Sequence, residues 1–309
     1  MATSLRIALL NCDTPVPNVL AERGLYSDLF AELLRNTASK TPELSGLELD
    51  FKAFDSVKGE EPTGEELAQL DAIVISGAAA AAYDKAPWID SLIAFCRSNE
   101  TPLIPAQHSR TDHEAGVYIL YPSIKLFGAC FGHQILCHAL FSAPGQNIVS
   151  AEGWELGVCA VDLSPAFLSN FGPVTSNKKN PKQMRQQFVH LDHVALSALP
   201  RGFHSIGRTK RCAVEGVWKK GRLLTFQGHA EFDRMVNRET VMVFGYKKWG
   251  NDFLREALDA VERDDDSIWA ASVMLRFFLE EADAERSERF SRNVTSSSSG
   301  EDLRIRARL

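Results

Sequence analysis

The sequence predicts an α/β fold: a doubly wound, mostly parallel sheet with helices on both faces. Strand-like and helix-like hydrophobic patterns alternate along most of the 309 residues, the signature of βα units. A single hairpin signal interrupts that alternation. One buried-type strand runs through a glycine-flanked turn straight into an apolar helix, the connection expected at the carboxyl edge of such a sheet.

The elements follow in order. Residues 5–10 are apolar apart from Arg6 and read as a first strand, too short for the apolar core of a signal peptide. Residues 47–53 alternate apolar and polar, the period of a half-buried strand. Thr63 and Glu66 form a capping-box pattern ahead of the apolar strand Ala72–Ile75. Ile89, Leu92, Ile93 and Cys96 share one helical face, with Pro87 near the start. Residues 125–127 end a strand and residues 135–141 continue as a helix. Gly153, Trp154 and Glu155 read as a turn into a strand over 156–161. The stretch from Trp218 to Arg222 lies between two apolar runs and predicts a hairpin into the buried strand Leu223–Phe226. Ile268, Ala271, Leu275, Phe278 and Leu279 form the stripe of a final helix packed on the sheet. There is no internal repeat.

The expected organisation is one domain over residues 1–282 and a solvated, disordered tail over 283–309, rich in serine and charge. Residues 101–124 separate a helix from the central strand by an unusually long connection. Pro102, Pro105 and Pro122 disfavour regular helix there, while Tyr118, Ile119, Leu120 and Tyr121 are apolar enough to anchor the segment to the body. His108 and His113 are expected to be solvated.

A net charge of −6 argues against a nucleic-acid surface. No stretch approaches the ~20 apolar residues of a membrane span. The six cysteines lack paired spacing and fit a reduced, cytoplasmic protein. No P-loop of the form Gly-x-x-x-x-Gly-Lys-Ser/Thr is present, and no cofactor is expected. His133 and Cys137 lie four apart on one helix, but no second ligand pair with recognisable spacing joins them, so no metal is expected either.

The chemistry centres on Gly128-Ala-Cys-Phe-Gly132. A strand-to-helix turn this sharp strains the backbone and needs small neighbours at 128 and 132. It exposes the Cys130 thiol to a helix N-terminus, whose free N–H groups and dipole favour a thiolate. A thiol nucleophile needs a base and the base an orienting group. His229 and Glu231 leave the end of the buried strand over 223–226. If the chain stays extended there, residues two apart share a face, and the carboxylate can fix the imidazole tautomer. An α/β-hydrolase is the rival fold for such a turn, but its acid precedes the histidine by a long separation.

Six segments in order resemble the class I (triad-type) glutamine amidotransferases, in the branch of small stand-alone GMP-synthase-like proteins that includes fungal members and plant γ-glutamyl peptidases. They are residues 73–77, residues 83–89, the Cys130 turn with Gly132-His133-Gln134, residues 153–158, residues 190–200 and residues 226–232. The resemblance spans roughly residues 5 to 280. It implies a flavodoxin-like sheet and a Cys130, His229, Glu231 triad acting on a small-molecule γ-glutamyl substrate. It further implies oxyanion donors at the backbone of Phe131 and Ala78, and substrate binding by Gly77, Gln134, Trp154, His190 and Leu191, with the 190–192 stretch a loop. Where the family has glycine or serine this chain has Ala78, the first of five alanines over 78–82. Three functions compete: a γ-glutamyl hydrolase or peptidase, a glutaminase passing ammonia to a separate synthetase partner, and a non-catalytic binding protein of the same fold. No nucleic-acid or membrane partner is expected.

Overall fold

Residues Ser4–Asn11 form β1, and its neighbours explain why the run is apolar on both sides. Ile7 and Leu9 face one hydrophobic layer, while Ala8 and Leu10 face another. The computed structural model describes residues 4–97, 116–142, 146, 148–173, 182–246 and 248–281. The remaining elements, in chain order, begin with α1 (Pro17–Arg23), α2 (Tyr26–Lys40), β2 (Glu48–Asp55), α3 (Gly64–Leu67), β3 (Ala72–Ile75) and α4 (Pro87–Cys96). Next come α5 (Val117–Leu120), β4 (Lys125–Ala129), α6 (Phe131–Phe141), β5 (Val149–Leu163), α7 (Pro165–Phe171) and β6 (Gln183–Val194). The chain continues with β7 (His204–Ser205), β8 (Gly207–Arg208), β9 (Val217–Lys219), β10 (Leu223–Phe226), α8 (Arg234–Gly245), α9 (Asn251–Val261) and α10 (Ser267–Phe278).

The main sheet has seven strands in the order β2-β1-β3-β4-β10-β9-β7. The pairs from β2 through to β10 are parallel, and the hairpin strand β9 and short β7 add antiparallel edges. Phe30 and Leu34 of α2 and Met274 and Phe278 of α10 cover one face together with Phe127 and Phe226. Leu92 of α4 and Ile135 and Leu136 of α6 cover the other, against Ile73, Ile75 and Leu126. The sheet is therefore doubly wound, as its sequence pattern requires.

Four features differ from the sequence reading. A second sheet of three strands, β6-β5-β8, packs beside the first and carries α8 and α9 on its outer side. The expected turn at 153–155 lies within β5, where pairing with β6 breaks register between Ala151 and Glu155. The 190–192 stretch is strand, not loop. On α10, Ile268 is 38% exposed and Leu279, just beyond the helix, is 39% exposed. The helix buries Ala271, Leu275 and Phe278 of the expected stripe, and Ala270, Val273, Met274 and Phe277 besides, because it is wedged between the sheet and α2 and is covered nearly all round.

The anchor of the long connection is also sharper than its apolar run suggests. Val117 and Tyr118 are buried while Leu120 is exposed, and the four residues Val117–Leu120 form one helical turn. The Arg222 guanidinium sits 4.5 Å over the Tyr118 ring and donates to the Tyr118 carbonyl oxygen. His108 and His113 lie outside the described residues, as does the 283–309 tail.

Candidate active site

Cys130 has φ 50° and ψ −108°, and it is the one non-glycine residue among those described with positive φ. Two hydrogen bonds hold it there. Its N–H donates to the Phe226 carbonyl at 2.9 Å, extending the β4–β10 pairing, and its carbonyl accepts from Gln134 N–H at 3.0 Å, opening α6. One residue thus belongs to strand and helix at once, and the strain is concentrated on it. A Cβ at Gly128 would stand 2.3 Å from the Gly132 carbonyl oxygen, and one at Gly132 would stand 2.2 Å from that of Ile75. Only glycine lets the turn come this close to its own helix and to β3.

Strand β10 runs beside β4 with Phe226 opposite Ala129, so both chains leave the sheet at the same edge. Beyond β10 the backbone stays extended: His229 N–H donates to the Gln187 carbonyl of β6 at 2.8 Å. Side chains two apart then meet, with His229 Nδ1 2.7 Å from Glu231 Oε1. A carboxylate accepts, so Nδ1 carries a proton, which leaves Nε2 for the Cys130 side chain beside the ring. The Phe232 ring stacks on the imidazole at 3.9 Å and 15°, fixing its plane. Burial disfavours the imidazolium, but the Glu231 carboxylate and the Cys130 thiol outweigh it and raise His229 to about 10. The ring therefore holds its proton at neutral pH.

The turn after β3 closes this corner. Gly77 is buried, and a Cβ there would come 2.8 Å from His229 Cε1 and 3.6 Å from Cys130 Cβ. Ser76 and Asp13 shape the turn. The Ser76 hydroxyl donates to the Gly77 carbonyl at 2.9 Å and accepts from Cys12 N–H at 2.9 Å. Asp13 Oδ2 accepts from Ala79 N–H at 2.8 Å. The five-alanine run keeps its form through backbone and neighbouring side chains, which is why side-chain chemistry can be dispensed with at Ala78. The amides of Phe131 and Ala78 make no hydrogen bond among the described residues.

The other sequence-predicted residues divide. Gln134, buried in the first turn of α6, donates to the Asp192 carbonyl at 2.9 Å and to Gln227 Oε1 at 3.2 Å, tying the helix to both sheets. Leu191 is half-buried on β6. Trp154 packs edge-on against Trp249 at 4.9 Å. His190 turns its ring inward: it is 4% exposed, its Nδ1 is 3.0 Å from the Asp192 carbonyl, and its Nε2 is 3.4 Å from Glu155 Oε2. Burial pushes His190 below the ordinary histidine value, the reverse of His229. His133 and Cys137 do meet, with His133 Nδ1 3.6 Å from Cys137 Sγ and 2.8 Å from Thr225 Oγ1, in a buried core position where burial takes His133 down to about 3. Sequence reasoning missed Phe232 as the support of His229, Asp13 as the brace of the 76–79 turn, and the pairing of Glu155 with His190 and His193. Phe232 sits one residue from Glu231 and was within reach; the others depend on contacts across 35 residues or more.

A doubly wound sheet with a cysteine at a strained strand–helix junction and a histidine–carboxylate pair just beyond the adjacent strand defines the class I amidotransferase fold. Solved structures agree on the fold. A glutamine amidotransferase from Thermotoga maritima has a TM-score of 0.57 at 18% identity, over 89% of this chain and 98% of that one. One from Methylobacillus flagellatus has a TM-score of 0.56 at 16% identity, over 90% of this chain and 94% of that one. No profile of a known protein family matches the chain. Individual relatives do: a glutamine amidotransferase-like protein of Schizosaccharomyces pombe is 30% identical over 277 residues, 89% of this chain and 98% of the relative. The chain belongs to the glutamine amidotransferase-like family. γ-Glutamyl peptidase 2 of Arabidopsis thaliana is 23% identical over 227 residues, 73% of this chain and 80% of the plant protein.

Proposed function

We propose that the protein hydrolyses a γ-glutamyl amide, either glutamine or a γ-glutamyl conjugate of a metabolite, through a thioester on Cys130. The observation that carries this reading is the backbone of Cys130. A non-glycine residue held at φ 50° beside a carboxylate-bound histidine has a strain that folding alone does not call for. In this scheme the Cys130 thiolate attacks the side-chain amide carbon of the γ-glutamyl group. The oxyanion is received by the Phe131 and Ala78 amides. His229, already protonated, gives its Nε2 proton to the departing nitrogen, and the C–N bond breaks as the thioester forms. The neutral imidazole then takes a proton from water, hydroxide attacks the thioester, the C–S bond breaks, and glutamate leaves as the thiolate is restored beside the protonated histidine. Glu231 keeps the ring in the required tautomer and stabilises its charge. Gly77, Gln134, Trp154 and the backbone of the 190–191 strand are the proposed walls for the glutamyl moiety.

The peptidase name of the plant relatives supports a stand-alone hydrolase over an ammonia-supplying subunit. The discriminating experiment follows glutamate release from glutamine, glutathione and a γ-glutamyl anilide by the purified protein. Turnover of the conjugates at rates matching or exceeding glutamine supports the hydrolase reading. Turnover of glutamine alone assigns the chain to ammonia supply for a separate synthetase.

A further inference from the structure

Three buried acceptor atoms converge between β5 and β6 without a donor among them. His190 Nδ1 lies 3.0 Å from the Asp192 carbonyl oxygen and His193 Nε2 lies 2.9 Å from that of Gly153. A carbonyl can only accept, so each of those nitrogens carries the ring proton. In the neutral rings the opposite nitrogens, His190 Nε2 and His193 Nδ1, are then lone pairs. Both point at Glu155 Oε2, at 3.4 Å and 4.0 Å. None of these three atoms has a hydrogen-bond partner, and the residues are 6% exposed or less. Glu155 Oε1 is held separately by the Thr209 hydroxyl at 2.7 Å. Among the described residues no lysine or arginine pairs with Glu155, while the buried carboxyl of Glu215 lies beside it.

Two lone pairs and a carboxylate oxygen facing one point repel each other unless a proton or a metal cation stands between them, and a metal serves all three at once. We propose that Glu155, His190 and His193 form a divalent-metal site of the zinc class, which clamps β5 to β6 at their register break. Two imidazoles and one carboxylate suit Zn²⁺, with a fourth position for water or a neighbouring oxygen. Tetrahedral ligands at ~2.0–2.1 Å from zinc lie roughly 3.4 Å apart. The three ligand atoms already lie within 4.8 Å of one another, so closure takes shifts of an ångström or so. The surroundings match what metal-bound side chains need. Each histidine is oriented by a backbone carbonyl through its far nitrogen, and the carboxylate by a hydroxyl. Sequence spacing concealed the set because its members come from facing strands: Glu155 is the direct cross-strand partner of His190.

The clamp would act on the substrate wall rather than on the bond being broken. The Asp192 carbonyl that orients His190 is the one that receives Gln134 from the Cys130 helix. That consequence rests on the hydrolase reading; the metal site does not.

The test uses the full chain purified without chelators. Metal content is measured directly, and the metal-stripped protein is titrated with Co²⁺ while the visible d–d bands are recorded. Cys130→Ser serves as a control for binding at the thiol. About one equivalent of metal, with cobalt bands unchanged in Cys130→Ser and lost in both His193→Gln and Glu155→Gln, is the expected result. Thr209→Val, which keeps all three ligands, should weaken affinity by about 10–100-fold. Absence of cobalt binding by the wild type overturns the proposal and leaves a histidine–glutamate contact. Equal binding by the wild type and His193→Gln overturns it as well. Circular dichroism of each variant identifies those that fold, and Thr209→Val decides the matter if the ligand variants do not.

Discussion

Gly77 stands directly against His229: the space a Cβ would need at 77 lies 2.8 Å from the imidazole Cε1. The turn after β3 thus sets how near the histidine can approach Cys130, and it does so by having no side chain. Gly132 is glycine for a different reason, since its Cβ would meet the Ile75 carbonyl backbone at 2.2 Å.

The two glycines should therefore fail differently. Gly77→Ala pushes on a side chain and should lower kcat by about 100-fold, the effect of an ångström-scale misplacement, with little change in Tm. Gly132→Ala pushes on backbone and should destabilise by about 3 kcal/mol, the upper end for an overpacked site. Steady-state kinetics alongside thermal melts separate the two. A Tm loss in Gly77→Ala matching that of Gly132→Ala would count against a site-specific role for Gly77.

Cys130→Ala should lower turnover by roughly 10⁴–10⁶, the scale seen when a triad nucleophile is removed. A glutamine-analogue electrophile should label Cys130 and none of the other five cysteines, whose thiols burial pushes above their ordinary value. Peptide mapping after labelling reads this directly. Label retained by the alanine variant would disprove the assignment.

His229→Ala should approach the loss at Cys130, and Glu231→Gln should be milder because the imidazole stays in place. The pH profile gives the sign. His229 is raised from 6.5 to about 10 by its neighbours after burial is overcome. Activity that needs the imidazolium should hold to an alkaline limb near that value, and Glu231→Gln should move the limb to lower pH. Stability follows the same linkage. The contribution of a raised histidine is complete below 6.5 and is lost as pH rises toward about 10. The wild type should consequently lose more Tm than Glu231→Gln between these limits. Identical limbs in the two proteins would mean that another group sets the profile.

Tyr118→Ala should destabilise by about 3–5 kcal/mol, the range for deleting a buried aromatic ring. The ring lies under Arg222 at 4.5 Å and stacks on Phe203 at 6.5 Å. Glutamate release at low temperature should be retained, since Tyr118 belongs to the apolar layer beneath α4 and α6 and not to the Cys130 corner. Chemical denaturation and the anilide assay together check both halves.

Legibility from sequence tracked the range of the interaction. The glycines around Cys130, the proline opening α4, and the two-residue step from His229 to Glu231 act within a few residues, and each left a local mark. Of the three-stranded sheet only residues 156–161 of β5 left one, because Glu155 and His190 are joined by a ladder whose register changes partway along. A histidine three residues from another on a strand should face the opposite way, yet the His190 and His193 rings lie 4.8 Å apart. On α10 the stripe caught Ala271, Leu275 and Phe278 but missed the rest for the opposite reason: a helix buried nearly all round has no single apolar face to find.

Cys130 donates its amide hydrogen to Phe226 from the end of a central strand, with paired strands on both sides of β4. Such a position opens only when the sheet itself opens, so deuterium should enter at Cys130 about as slowly as anywhere in the molecule. The proposed reacting corner is consequently a fixed anvil. In the proposed reaction, adaptation to one amide or another then falls to side chains off that strand ladder, not to the ladder itself.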